Sequence, residues 1–95
     1  MTDIIWGHGS QTLSQDSFIL NVTHRKNGNK MTYSDSEKIR ITSADLPGFP
    51  HEQKDWTSET LSDCIKDAFL KCEIDVRDDG GVLLAKVSHS GVGGY

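Results

Sequence analysis

The chain has 95 residues, with 14 Asp and Glu against 10 Lys and Arg, for a formal net charge of -4. That length holds one domain with a single core and leaves little depth for an enclosed cleft. A net negative surface repels nucleic-acid backbones and anionic membranes at long range. The charge is uneven: residues 1–50 carry five acidic and five basic side chains, whereas residues 51–95 carry nine acidic and five basic ones.

Taken in order, Ile4, Ile5 and Trp6 predict a short strand over residues 3–6 that stops at Gly7 and Gly9, followed by a polar loop over 10–16. From Ser17 to Thr23, Phe18, Leu20 and Val22 alternate with Ile19, Asn21 and Thr23, the pattern of a strand. Asn27-Gly28 suits the positive φ values of a tight turn, so residues 30–34 are expected to return antiparallel and complete a hairpin over 17–34, with Met31 and Tyr33 on one face. Ile39 and Ile41 alternate with Lys38, Arg40 and Thr42 and predict a strand over 38–42. Pro47, Gly48 and Pro50 then break regular structure between Ser43 and Asp55.

Leu61, Cys64, Ile65, Ala68, Phe69 and Cys72 recur at three- and four-residue spacing, which predicts an amphipathic helix over 57–72. Thr57 suits its N-cap, and Trp56 with Leu61 forms a hydrophobic staple. The opposite face carries Glu59, Asp63 and Asp67 at i, i+4 and i+8, a row of like charges that opposes helix formation by roughly 0.2–0.5 kcal/mol per neighbouring pair. Beyond the helix, Ile74 and Val76 alternate with Asp75 and Arg77. Asp78-Asp79-Gly80-Gly81 reads as a turn and residues 82–88 as a returning strand, giving a hairpin over 73–88.

These elements define an α+β fold, a small antiparallel sheet of about four to five strands with the one helix packed on one face. Residues 1–90 form a single domain, and 91–95 a flexible Gly-rich tail.

Motifs of chemistry are sparse. His8, His24, His51 and His89 stand at no metal-ligand spacing, and the expectation is no metal and no cofactor. His8-Gly9-Ser10 and Ser88-His89-Ser90 set a base beside a hydroxyl in sequence only, and no nucleophile elbow, Walker or dinucleotide fingerprint occurs. The chain is therefore read as non-enzymatic. Cys64 and Cys72, about 12 Å apart if on one helix, are too distant for a disulfide and read as small buried hydrophobes of a reducing compartment. No secretory h-region follows Met1, and no apolar run approaches the ~20 residues of a membrane span, so a cytoplasmic location is expected. Arg25, Lys26 and Lys30 concentrate positive charge at the first turn without an interleaved aromatic residue to stack on bases.

The acidic second half and the row on the helix predict a binding module of the inhibitor or immunity type. It would dock Glu59, Asp63, Asp67, Asp75, Asp78 and Asp79 on a basic surface of a larger protein, one that handles nucleic acid among the candidates, with no direct nucleic-acid or membrane contact of its own. The alternative is an accessory subunit that self-associates through open sheet edges, so monomer and homodimer both stay open. A second alternative lies in Gly93-Gly94, which is similar to the diglycine tail of ubiquitin-like modifiers, although Tyr95 follows it. That resemblance implies a modifier.

Overall fold

The computed structural model describes residues 2–46, 49–50, 52–65 and 68–89. Five strands build it: β1 (Asp3–Thr12), β2 (Ser17–Arg25), β3 (Ser36–Asp45), β4 (Phe69–Arg77) and β5 (Leu83–His89). Among the described residues, one 3-10 turn (Gln53–Asp55) and one helix, α1 (Ser58–Ile65), lie between β3 and β4. The mixed α+β composition is as expected, but the sheet is a closed barrel in the order β1-β2-β3-β5-β4 rather than an open sheet. Closure comes from two pairings between segments distant in sequence, antiparallel β1 with β4 and parallel β3 with β5.

Alternation of side chains fills the barrel. Ile5, Phe18, Leu20, Val22, Ile39, Ile41, Leu70, Cys72, Ile74, Leu83, Ala85 and Val87 turn inward and form one buried cluster with Leu61 and Ile65 of α1. The inward faces of the strands predicted at 17–23 and 38–42 are those the sequence indicates, and both strands run further than predicted. The hairpin expected over 73–88 is present, with β4 starting earlier, at Phe69. Val76, expected to face inward, is instead exposed beyond an irregularity in the β4–β5 register.

Three expectations are corrected. First, the helix stops at Ile65 instead of running to 72, because Leu70, Cys72 and Ile74 bury themselves with the period of a strand. Second, β1 does not end at Gly7 but passes through both glycines to Thr12. Those two positions are where neighbours come closest: a Cβ at position 7 would collide with the Asn21 carbonyl oxygen, and one at position 9 would lie 2.6 Å from Ile65 Cβ.

Third, residues 30–34 form no strand. The turn at Asn27-Gly28 is present, with Gly28 at φ 92°, but the chain then crosses the mouth of the barrel as a strap. Asn29 takes the place of a strand partner, its side-chain oxygen accepting from the Ile4 N–H at 3.0 Å and its amide donating to the Ile4 carbonyl at 2.9 Å.

The helix begins as its sequence indicates. The Thr57 hydroxyl accepts from the Thr60 N–H at 3.1 Å, and Trp56 and Leu61 are both buried. Trp56 also stacks at 5.1 Å on Phe49 and donates its indole N–H to the Pro50 carbonyl at 2.8 Å, which fixes the entry to the helix.

Candidate functional site

The acidic side chains divide into two classes by what they touch. Asp3 and Glu37 occupy inward strand positions, in phase with Ile5 and with Ile39 and Ile41, and both are buried. Burial of a carboxylate is tolerated only where donors surround it. Asp3 accepts from the backbone N–H groups of Lys30 at 2.9 Å and Met31 at 3.0 Å and from the Tyr33 hydroxyl at 2.8 Å. The two backbone donors are the main reason its pKa is held below the ordinary carboxylate value. Burial, reinforced by the neighbouring Asp3 carboxylate, raises the Tyr33 phenol well above its ordinary value.

Glu37 accepts from the Ser34 N–H and from the two terminal Arg77 guanidinium nitrogens, Nη1 at 3.1 Å and Nη2 at 3.3 Å. Arg77 also donates to the Thr32 and Gly81 carbonyls and lies 5.8 Å from the centre of the Tyr33 ring. These contacts bolt the strap across the barrel mouth. The sequence reading missed Asp3, Tyr33, Glu37 and Arg77; a charged residue in register with buried strand positions was the signal that marks the two carboxylates.

Of the acids expected at the site, Glu59, Asp63, Asp75 and Asp79 are exposed. Glu59 and Asp63 lie one helical turn apart on the exposed side of α1, which has no basic residue in its last turn. Asp67 lies outside the described residues. Asp75 is exposed at the end of β4, and Asp79 is exposed at the tip of the β4–β5 turn. Asp78 has a structural task, since its carboxylate accepts from the Gly80 and Val82 N–H groups at 2.9 Å each and closes that turn. Glu59, Asp63, Asp75 and Asp79 make no ion pair among the described residues.

The barrel sets these residues in two places. Helix α1 ends over Gly9, whereas Ile74, just before Asp75, pairs with Asp3. Six residues of β1 separate the two levels, about 20 Å at strand rise. The expected acidic surface is therefore two patches, one beside the helix and one beside the β4–β5 turn.

Between them the wall carries cations. Lys38 and Arg40 project from β3, Lys71 from β4 and Lys86 from β5, with Glu73 opposite Lys86 and 3.9 Å from the Lys71 ammonium. On the β1, β2 and β4 side, the Phe69 ring stands 5.3 Å from His8 and 5.8 Å from His24. Of the basic tip, Arg25 pairs with Asp35 at 2.9 Å and donates to the Tyr33 carbonyl, so it serves the strap. Among the described residues no three His, Cys, Asp or Glu side chains form a group able to hold a metal ion.

A five-stranded barrel in this order, with its helix between the third and fourth strands, has the connectivity of the OB fold, a scaffold that commonly holds oligonucleotides or oligosaccharides on the face of its second and third strands. Here the outward positions of that face hold Ile19, Asn21, Lys38, Arg40 and Thr42, and none of them offers an aromatic ring for stacking. Connectivity defines a scaffold and leaves the activity to the site it carries. No protein-family model, no curated protein and no solved structure matches this chain. No helix among the described residues is long and apolar enough to cross a membrane.

Proposed function

We propose that this barrel is a non-enzymatic binding module of the inhibitor or immunity type, cytoplasmic, which docks an acidic end on a basic surface of a larger protein. The observation that carries the reading is the division among its carboxylates. Asp3, Glu37 and Asp78 hold the fold together, while Glu59, Asp63, Asp75 and Asp79 stand in solvent and make no ion pair among the described residues. Exposed unpaired carboxylates at both ends of a rigid barrel steer a cationic partner and set its orientation. Self-association through sheet edges has less to support it, because a closed barrel leaves its strands paired on both sides over most of their length. The modifier reading rests on Gly93 and Gly94, which lie outside the described residues.

The test is capture from host extract by the immobilised protein and by two variants, E59K/D63K and D75K/D79K, each first shown to melt like the parent. Loss of the same captured protein in one variant identifies the end that docks. Identical capture by all three removes the exposed carboxylates from the function.

A further inference from the structure

Asn27 and Gly28 form the tip of the turn that follows β2, and both are exposed. The Asn29 N–H closes the turn by donating to the Lys26 carbonyl at 3.3 Å. Gly28 stands at φ 92°, and a Cβ placed on it would meet no atom within 4 Å. Among the described residues, nothing bonds to the Asn27 side chain and nothing accepts from the Gly28 N–H. An unhindered main-chain nitrogen therefore follows directly on an unengaged side-chain amide.

The fold closes the other places where the same chemistry could start. Of the three asparagines, Asn21 lies within β2, and the N–H of the next residue, Val22, is held by the Asp35 carbonyl at 2.8 Å. Asn29 has both its side-chain oxygen and its amide on Ile4, and the Lys30 N–H beyond it donates to the Asp3 carboxylate at 2.9 Å. At the analogous Asp79-Gly80 pair, the Gly80 N–H donates to the Asp78 carboxylate at 2.9 Å. The nitrogen that would attack is engaged at each of these and open at Gly28.

We propose that Asn27 is a site of spontaneous modification, where the chain converts its own asparagine to isoaspartate and so loosens the strap. The Gly28 nitrogen, its proton passed to hydroxide, attacks Asn27 Cγ. A nitrogen–carbon bond forms and the side-chain amide leaves as ammonia, giving a cyclic imide. Water then adds to one imide carbonyl: opening at Cγ gives aspartate, and opening at the main-chain carbonyl gives isoaspartate. Nothing is oxidised or reduced; water enters, ammonia leaves, and the turn gains a negative charge. Lys26 and Lys30, exposed on either side, favour the anionic nitrogen of the first step. Isoaspartate also lengthens the main chain by a carbon, which draws Asn29 from the Ile4 N–H and carbonyl that it holds at the root of the strap. The proposal goes beyond the docking of carboxylates and does not depend on it.

The experiment incubates the full chain at neutral pH, in buffer and in guanidinium chloride, and maps its peptides by mass spectrometry with electron-transfer fragmentation, which separates isoaspartate from aspartate. In buffer, Asn27 is expected to gain about one dalton, with conversion at Asn29 and Asp79 at least about tenfold slower. In guanidinium chloride, where Asp78 no longer holds the Gly80 N–H, isoaspartate is expected at Asp79 as well. The purified isoaspartyl form is expected to exchange its Ile4 amide about tenfold faster than the parent, while N27D, with the same charge on an ordinary main chain, exchanges like the parent.

An Asn27 that stays unchanged in buffer, equal conversion of Asn27 and Asn29 there, or an Ile4 amide that exchanges no faster in the isoaspartyl form than in N27D would each overturn the proposal. None of those results bears on what the charge-reversal variants capture.

Discussion

Ile65, the last residue of the helix, rests on Gly9 of β1 so closely that a Cβ at position 9 would lie 2.6 Å from its own Cβ. An eight-residue helix is marginal in isolation, and here it is held by Leu61 and Ile65 buried against the barrel. Gly9→Val is therefore expected to displace the helix and cost about 1–3 kcal/mol, while Ile65→Asp, placing an unpaired charge where the residue is 3 % exposed, unfolds the domain. Gly28→Ala has no atom within 4 Å to meet and is opposed only by its positive φ, for a smaller loss of about 1 kcal/mol. Calorimetric melting of the variants checks the order.

The strap over the barrel mouth is held in part by the half-buried Glu37–Arg77 ion pair. Glu37→Ala leaves the Arg77 guanidinium facing an emptied site and the Ser34 N–H without its acceptor. Because Arg77 keeps about a third of its side chain in solvent, the expected loss is about 2–3 kcal/mol, below that of a fully enclosed pair. Urea unfolding of E37A, R77A and the double variant measures the coupling, which is expected to make the double variant less destabilised than the sum of the singles.

Asp3 makes stability depend on pH in a defined direction. Its folded-state pKa lies below the ordinary 3.8, so the stability it contributes is fully present above that value and is lost as pH falls through the lower folded value. Asp3→Asn is expected to be less stable than the parent at neutral pH and to show a flatter decline below pH 4. Tyr33 acts at the other extreme: its raised folded value means that stability falls as pH rises past 10, where the unfolded phenol ionises first. Denaturant midpoints measured across both ranges test the two signs.

How far the sequence reveals this fold depends on whether each signal is local. The cap at Thr57, the alternation around Ile39 and Ile41 and the turn at Asp78 are specified by adjacent residues and are legible. The helix end is not, because Phe69 and Cys72 fit a three-and-four stripe as well as a strand; Leu70, fully buried and outside that stripe, is the residue that breaks the tie. Gly7 and Gly9 resemble strand breakers until the neighbours that require them, Asn21 and Ile65, are in place. The strap is invisible in the sequence because its partners Asp3 and Arg77 lie 27 and 45 residues away. The acidic residues of the candidate site are legible as residues, whereas their separation into two ends follows from the β1–β4 pairing alone.

Cys72 reports directly on the placement of β4. Inside the barrel its thiol is fully enclosed and burial pushes its pKa up to about 12, while burial raises that of the partly exposed Cys64 as well. Reaction with a thiol-specific reagent at pH 8 is expected to modify Cys64 slowly and Cys72 only at the rate of unfolding. Peptide mapping after a timed pulse separates the two, and equal labelling would place residue 72 outside the core.

Zero-length carbodiimide cross-linking of the protein to whatever it captures, read by mass spectrometry, tests the central claim most directly because it joins carboxylates to amines in contact. The account predicts cross-links from Glu59 and Asp63, or from Asp75 and Asp79, to lysines of the partner. Cross-links confined to Lys38, Lys71 and Lys86, joined to carboxylates of the partner, would show that the basic wall docks and would contradict it.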